Sequence, residues 1–186
     1  MPNTSEDRIK RKQVRMHRSF FEKSRLAIDN GFYLEAIFLE YAAIESRLEV
    51  ICGLLGFPCN KTLSPNVRKT INITNRIECI KTIRNQHGDL FVKTKLDDNF
   101  FKDKGCLRKW VNKRNMYIHG LYKNAAEYES RKRESKKLAE QGEVYARLLY
   151  NEAKRLRRLK DSHPDLFVGL NGSRNGCPCV KEITLD

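Results

Sequence analysis

Ile37, Tyr41, Ile44, Leu48, Ile51 and Leu55 recur in alternating steps of four and three, the period of one face of an α-helix. A strand would need an apolar residue at every second position instead. Leu34, Phe38 and Ala42 add a second apolar face, and a helix apolar on two sides belongs in the middle of a bundle. This one segment therefore asks for helical neighbours, and the rest of the chain supplies them.

Thr4 and Ser5 precede the acids Glu6 and Asp7, a start signal for a first helix that Asn30-Gly31 would end. Val14, Phe21 and Ile28 recur along it every seven residues. Its first half is a basic arm of Arg8, Lys10, Arg11, Lys12, Arg15 and Arg18. After the helix built on Ile37–Leu55, the residues Gly56 and Pro58 and the stretch 60–65 read as a loop. Ile73, Ile77, Ile80 and Ile83 predict a third helix ending near His87-Gly88. The stretch 90–96 fits a short strand or a loop. A fourth helix is expected over roughly 103–121 and a long fifth over about 125–160. The fifth would bury Tyr145, Leu148, Leu149, Leu156 and Leu159 and leave the charged stretch 131–137 on the surface. Past His163-Pro164 the pattern dissolves into Gly, Asn and Ser, and 168–180 reads as a hairpin or a tail. The expectation is an all-α bundle of about five helices over 1–163, followed by an irregular C-terminal tail over 164–186.

A chain of 186 residues is long enough to bury a core of its own. Lys and Arg number 37 against 23 Asp and Glu, a net charge of +14. Such an excess favours an anionic partner, nucleic acid first, although a run of charge is also what an ordinary solvated face carries. No apolar run approaches the roughly 20 residues of a membrane span, so no membrane partner is expected. The polar N-terminus lacks the apolar stretch of a secretory signal. A cytoplasmic location with six reduced cysteines follows as the expectation.

Chemistry concentrates in the fourth helix. Leu107, Val111, Arg114, Ile118 and Leu121 form one stripe, with Trp110 and Tyr117 at its margin. Arg114 thus stands where the pattern asks for an apolar side chain, and an unpaired guanidinium costs several kcal/mol to bury. Either a carboxylate compensates it, from Glu35, Glu40, Glu45 or Glu49 of the second helix, or it lines a cleft that receives phosphate. Arg108, Asn112, Asn115 and His119 form a polar band beside the stripe. Arg can hold a phosphate through two charge-assisted hydrogen bonds, and His moves protons near neutral pH. Together they could cleave RNA with no metal or other cofactor, His taking the proton of a 2′-hydroxyl. Arg114 and His119 lie about 140° apart around a straight helix. Either the helix bends near Gly120, or two copies pair and face their fourth helices, using Trp110 and Tyr117 as an apolar margin.

Arg114-Asn115-Met116-Tyr117-Ile118-His119 resembles the signature of HEPN domains, an Arg followed directly by a polar residue and a few positions later by His. The setting is similar too, late in a helical domain, and Gly31-Phe32-Tyr33-Leu34-Glu35-Ala36 resembles the start of an early HEPN helix. The resemblance covers roughly 19–159 and is specific only at the motif. It implies a homodimer with a composite cleft and metal-independent endoribonuclease activity, in a toxin or antiviral defence setting with an antitoxin or regulatory protein as partner. Arg114 would then hold the scissile phosphate, His119 would act as general base or acid, and Asn115 would orient one of them. Some toxin members carry a Tyr two residues after the His; here Leu121 stands there, so regulation by tyrosine modification is not implied.

Around this centre, Arg108, Asn112, Lys10, Arg11 and Arg15 are the expected RNA contacts, which makes binding salt-sensitive. Arg84-Asn85-Gln86-His87 reads mainly as a helix end carrying a favourable cation. Cys177-Pro178-Cys179 has too short a gap for the paired cysteines of structural zinc, so no metal site is expected. Two other readings stay open: a non-catalytic helical module that binds RNA or a protein, and a structural bundle in which Arg114 makes an internal ion pair.

Overall fold

The computed structural model describes residues 19–57, 73–96, 100, 106–121, 131–168 and 170. The fold is all-α, and no strand occurs among the described residues. Helix α1 is described over 19–29. It is followed by α2 (Tyr33–Leu54), α3 (Ile73–Gln86), α4 (Cys106–Leu121) and α5 (Lys132–Ser162). Two short 3-10 turns, Gly88–Phe91 and Pro164–Phe167, follow α3 and α5. The stretch expected to be strand or loop therefore starts as a 3-10 turn. The basic arm with Lys10, Arg11 and Arg15, the loop at 60–65, the start of the fifth helix near 125 and the Cys177-Pro178-Cys179 tail lie outside the described residues.

Two helices stop by the same device. At the end of α1 the Phe32 N–H reaches back to the Ala27 carbonyl at 2.7 Å and the Gly31 N–H to Ile28 at 3.0 Å. At the end of α2 Phe57 reaches Cys52 and Gly56 reaches Gly53. Gly31 (φ 79°) and Gly56 (φ 83°) sit in the left-handed region that this closure requires.

The chain divides into two compact units that share the long helices. The first comprises Met1–Ile44 and Trp110–Ala146. Its core holds Ile28, Ile37, Ile44, Trp110, Ile118 and Leu138. The expected second apolar face of α2 is corrected here: Phe38 and Ala42 are exposed. The buried positions are Ala36 and Ala43, whose small side chains let neighbouring elements come close, and Glu40, which accepts a bond from Ser24. Within this unit Gly142 of α5 marks a close approach. A Cβ there would collide with the Glu40 carboxyl and come within 2.6 Å of the Trp110 ring. Gly142→Ala should therefore lower stability by roughly 1–3 kcal/mol through overpacking. It should do so although Ala is the better helix former by about 1 kcal/mol. Urea unfolding checks this, and a variant as stable as the native chain would contradict it.

The second unit comprises Glu45–Lys109 and Arg147–Asp186. Leu48 and Ile51 of α2, Leu55 just past its end, the four isoleucines of α3, and Leu149 and Leu156 of α5 are buried, as their periodicity requires. Cys52 is buried and free, its thiol pushed up to about 12 by burial, so it is inert. Cys79 is disulfide-bonded. The expectation of six reduced thiols is corrected at this residue. No helix among the described residues is long and apolar enough to cross a membrane.

Candidate active site

Helix α4 carries the site because its buried side is fastened on both flanks of Arg114. Trp110 is buried and its indole N–H donates to the Leu138 carbonyl at 2.7 Å. Tyr117 is buried too, its hydroxyl bonded to that of Ser135. The Ser135 hydroxyl also donates to the Arg131 carbonyl at 2.9 Å. These bonds give each amphipathic aromatic a partner for its polar tip. They also correct the expectation that Trp110 and Tyr117 form an apolar margin for pairing two copies: both rings are already spent inside the unit.

Arg114 is half-buried between them. Its guanidinium carbon lies 4.0 Å from the ring centroid of Tyr41 and 5.4 Å from that of Phe38. Nη1 donates to Asn115 Oδ1 at 2.9 Å, while the buried Nε–H has no acceptor. No carboxylate lies within ion-pair distance among the described residues. Glu40, one candidate counter-ion, instead accepts from the Ser24 hydroxyl at 2.8 Å. The faces of the guanidinium are thus held by rings, which is a favourable contact for Arg and leaves edge N–H groups for an anion.

His119 lies on the other side of the helix. Its imidazole is exposed and makes no hydrogen bond among the described residues. Asn112, Lys113 and Met116 share its exposed face, and Met116 is 74% exposed. One copy of the chain does not bring Arg114 and His119 together, as the helical offset predicts, and Asn115 is the residue in contact with Arg114. Arg108, expected as an RNA contact, is half-buried, and its guanidinium pairs with Glu78 at 3.3 Å. Arg84 sits in the last turn of α3, where a cation suits the helix end.

Two features escaped the sequence. Tyr41 and Phe38 form the platform under Arg114, yet in the pattern they read only as apolar-stripe residues. Arg131 Nη1 comes within 3.5 Å of where a Cβ on Gly120 would stand, placing a second cation beside the His119 end of α4. Its position depends on the chain's return into α5, which no local pattern encodes. Among the described residues no three His, Cys, Asp or Glu side chains group as a metal ion would require.

Comparison with protein-family models, with curated proteins and with solved structures finds no match to this chain.

Proposed function

We propose that the protein is a metal-independent endoribonuclease of the HEPN type, with a composite cleft formed by two copies of α4. The observation that carries this reading is Arg114: a half-buried cation held by Tyr41, Phe38 and Asn115 but matched to no carboxylate among the described residues. A guanidinium held in place and lacking a counter-ion is suited to a phosphate. His119, exposed on the same helix, is free to move a proton. The resemblance of the 114–119 segment to the HEPN signature supports the pairing of roles.

In this reading His119 takes the proton from a 2′-hydroxyl, the 2′-oxygen attacks phosphorus, and the 5′-oxygen leaves and takes up a proton from water. Arg114 of the other copy stabilises the charge that builds on the phosphoryl oxygens. Antiparallel α4 helices related about a point midway between positions 116 and 117 put the two residues at one level. Asn115 lies on the arc between them. The exposed Phe38 ring, 42% accessible, takes the pairing role that Trp110 and Tyr117 cannot. The setting we infer from the resemblance is a toxin or defence effector restrained by a partner protein.

The test is purified protein with single-stranded and structured RNA in EDTA. Cleavage should proceed, leave 2′,3′-cyclic phosphate ends and spare DNA, which lacks the attacking hydroxyl. Equal cutting of DNA, or loss of all activity in EDTA, overturns the mechanism. The divergence of Arg114 and His119 within one copy favours one other reading, a helical module that binds RNA without cutting it. RNA binding with no cleavage under any of these conditions would select it.

A further inference from the structure

The second unit holds a cation that folding alone does not explain. Arg47 of α2 is only 7% exposed. Its guanidinium carbon lies 5.1 Å from the Tyr150 ring centroid, and its Nη2 is buried without an acceptor. It makes no ion pair among the described residues. Arg76 and Arg155 of the same unit are treated differently. Arg76 donates to the Glu45 carbonyl at 3.0 Å and lies 3.8 Å from its carboxylate. Arg155 holds Glu152 through two bonds and reaches the Leu90 carbonyl at 2.6 Å. Burial works against the charge of Arg47; Tyr150 favours it, and the like charge of Arg157 on α5 works against it. Tyr150, Lys154 and Arg157 share one face of α5 at helical spacing. Lys154 and Arg157 are exposed and make no ion pair among the described residues, Asp161 one turn on included.

We propose that Arg47, Arg157 and Lys154 form an anion site for a phosphate group, with the Tyr150 ring as its wall. Burying a guanidinium beside a second one is costly unless an anion completes the set. A phosphate has enough oxygens to bridge two guanidinium forks and an ammonium at once, whereas a carboxylate has two. The phosphate can belong to a free nucleotide or to an RNA backbone. The site uses no residue of α4 and does not depend on the nuclease reading.

The experiment is calorimetric titration of the full chain at low salt with inorganic pyrophosphate, and competition by a short RNA lacking terminal phosphates. Arg157→Ala, an exposed change, and Arg47→Met should each weaken pyrophosphate binding by about tenfold or more, the worth of a charged hydrogen bond. Titration in an Arg114→Ala background keeps this site apart from the phosphate role proposed for Arg114. Pyrophosphate should raise the native Tm, and Arg47→Met alone should raise it without ligand, because a buried unmatched charge is gone. Displacement by the RNA assigns the site to backbone phosphate, and its absence to a small nucleotide. Pyrophosphate binding that survives in both Arg47→Met and Arg157→Ala, or no binding by the native chain, overturns the proposal. So does a fall in Tm for Arg47→Met, which would mark Arg47 as a structural residue.

Discussion

Glu40→Gln should stabilise the chain by about 2–3 kcal/mol near pH 8 and flatten its stability against pH. Glu40 is 2% exposed; among the described residues its Oε2 has no partner and its only hydrogen bond comes from Ser24. Burial, reinforced by nearby Glu143 and only partly offset by the Ser24 bond, pushes its carboxyl from 4.5 up to about 9. Between those values the folded chain keeps a proton that the unfolded chain has released. Each pH unit upward therefore favours unfolding by about 1.4 kcal/mol, until the folded carboxyl itself ionises. Stability from this group is greatest in acid and lost as pH rises, the reverse of a salt-bridged carboxylate. Gln copies the neutral acid in shape and accepts the Ser24 bond, but it cannot ionise. Its added N–H lacks an acceptor at the Oε2 position, which holds the gain below what the full shift would give. Urea unfolding of both chains from mildly acidic to mildly alkaline pH measures the difference. Curves that run parallel would show that Glu40 is ionised in the fold.

The repeat from Ile37 to Leu55 and the isoleucines of α3 revealed two helices and most of their buried faces, because large aliphatic side chains at helical spacing have few other uses. The errors came where polar or small residues do the packing. Ala36, Glu40 and Ala43 line the close side of α2, while the larger Phe38 stays outside. Gly142 lies between Gln141 and Glu143, two polar residues that read as surface, and only the rarity of Gly inside a long helix hints at contact. Trp110 and Tyr117 were legible as aromatic but not as buried, since the Leu138 carbonyl and the Ser135 hydroxyl that satisfy them lie far along the chain. For Arg114 the pattern stated the problem, a cation in an apolar stripe, and offered carboxylates as one answer. The fold answers with the rings of Tyr41 and Phe38. Arg47 gave no signal, because a lone Arg on a helix reads as solvated until its neighbours are known.

Mixing two inactive variants should restore RNA cleavage if the cleft is shared between copies. His119→Ala alone should cut the rate by roughly 10²–10⁴-fold, the usual contribution of a positioned acid or base, with RNA binding nearly intact. Arg114→Ala should weaken both binding and cleavage. Arg114→Lys should recover little, since an ammonium neither stacks on Tyr41 as a guanidinium does nor grips two phosphate oxygens. Each variant alone lacks one half of every site. Co-refolded together, a His119→Ala copy supplies Arg114 and an Arg114→Ala copy supplies His119, so a mixed dimer regains one intact site of two. Within a single copy no such rescue is possible, because Arg114 lies against α2 while His119 faces outward. Cleavage that stays absent in the mixture, when both variants are folded and dimeric, would remove the shared cleft. Full activity of His119→Ala by itself would remove the proton-transfer role and leave Arg114 as a phosphate-binding residue only.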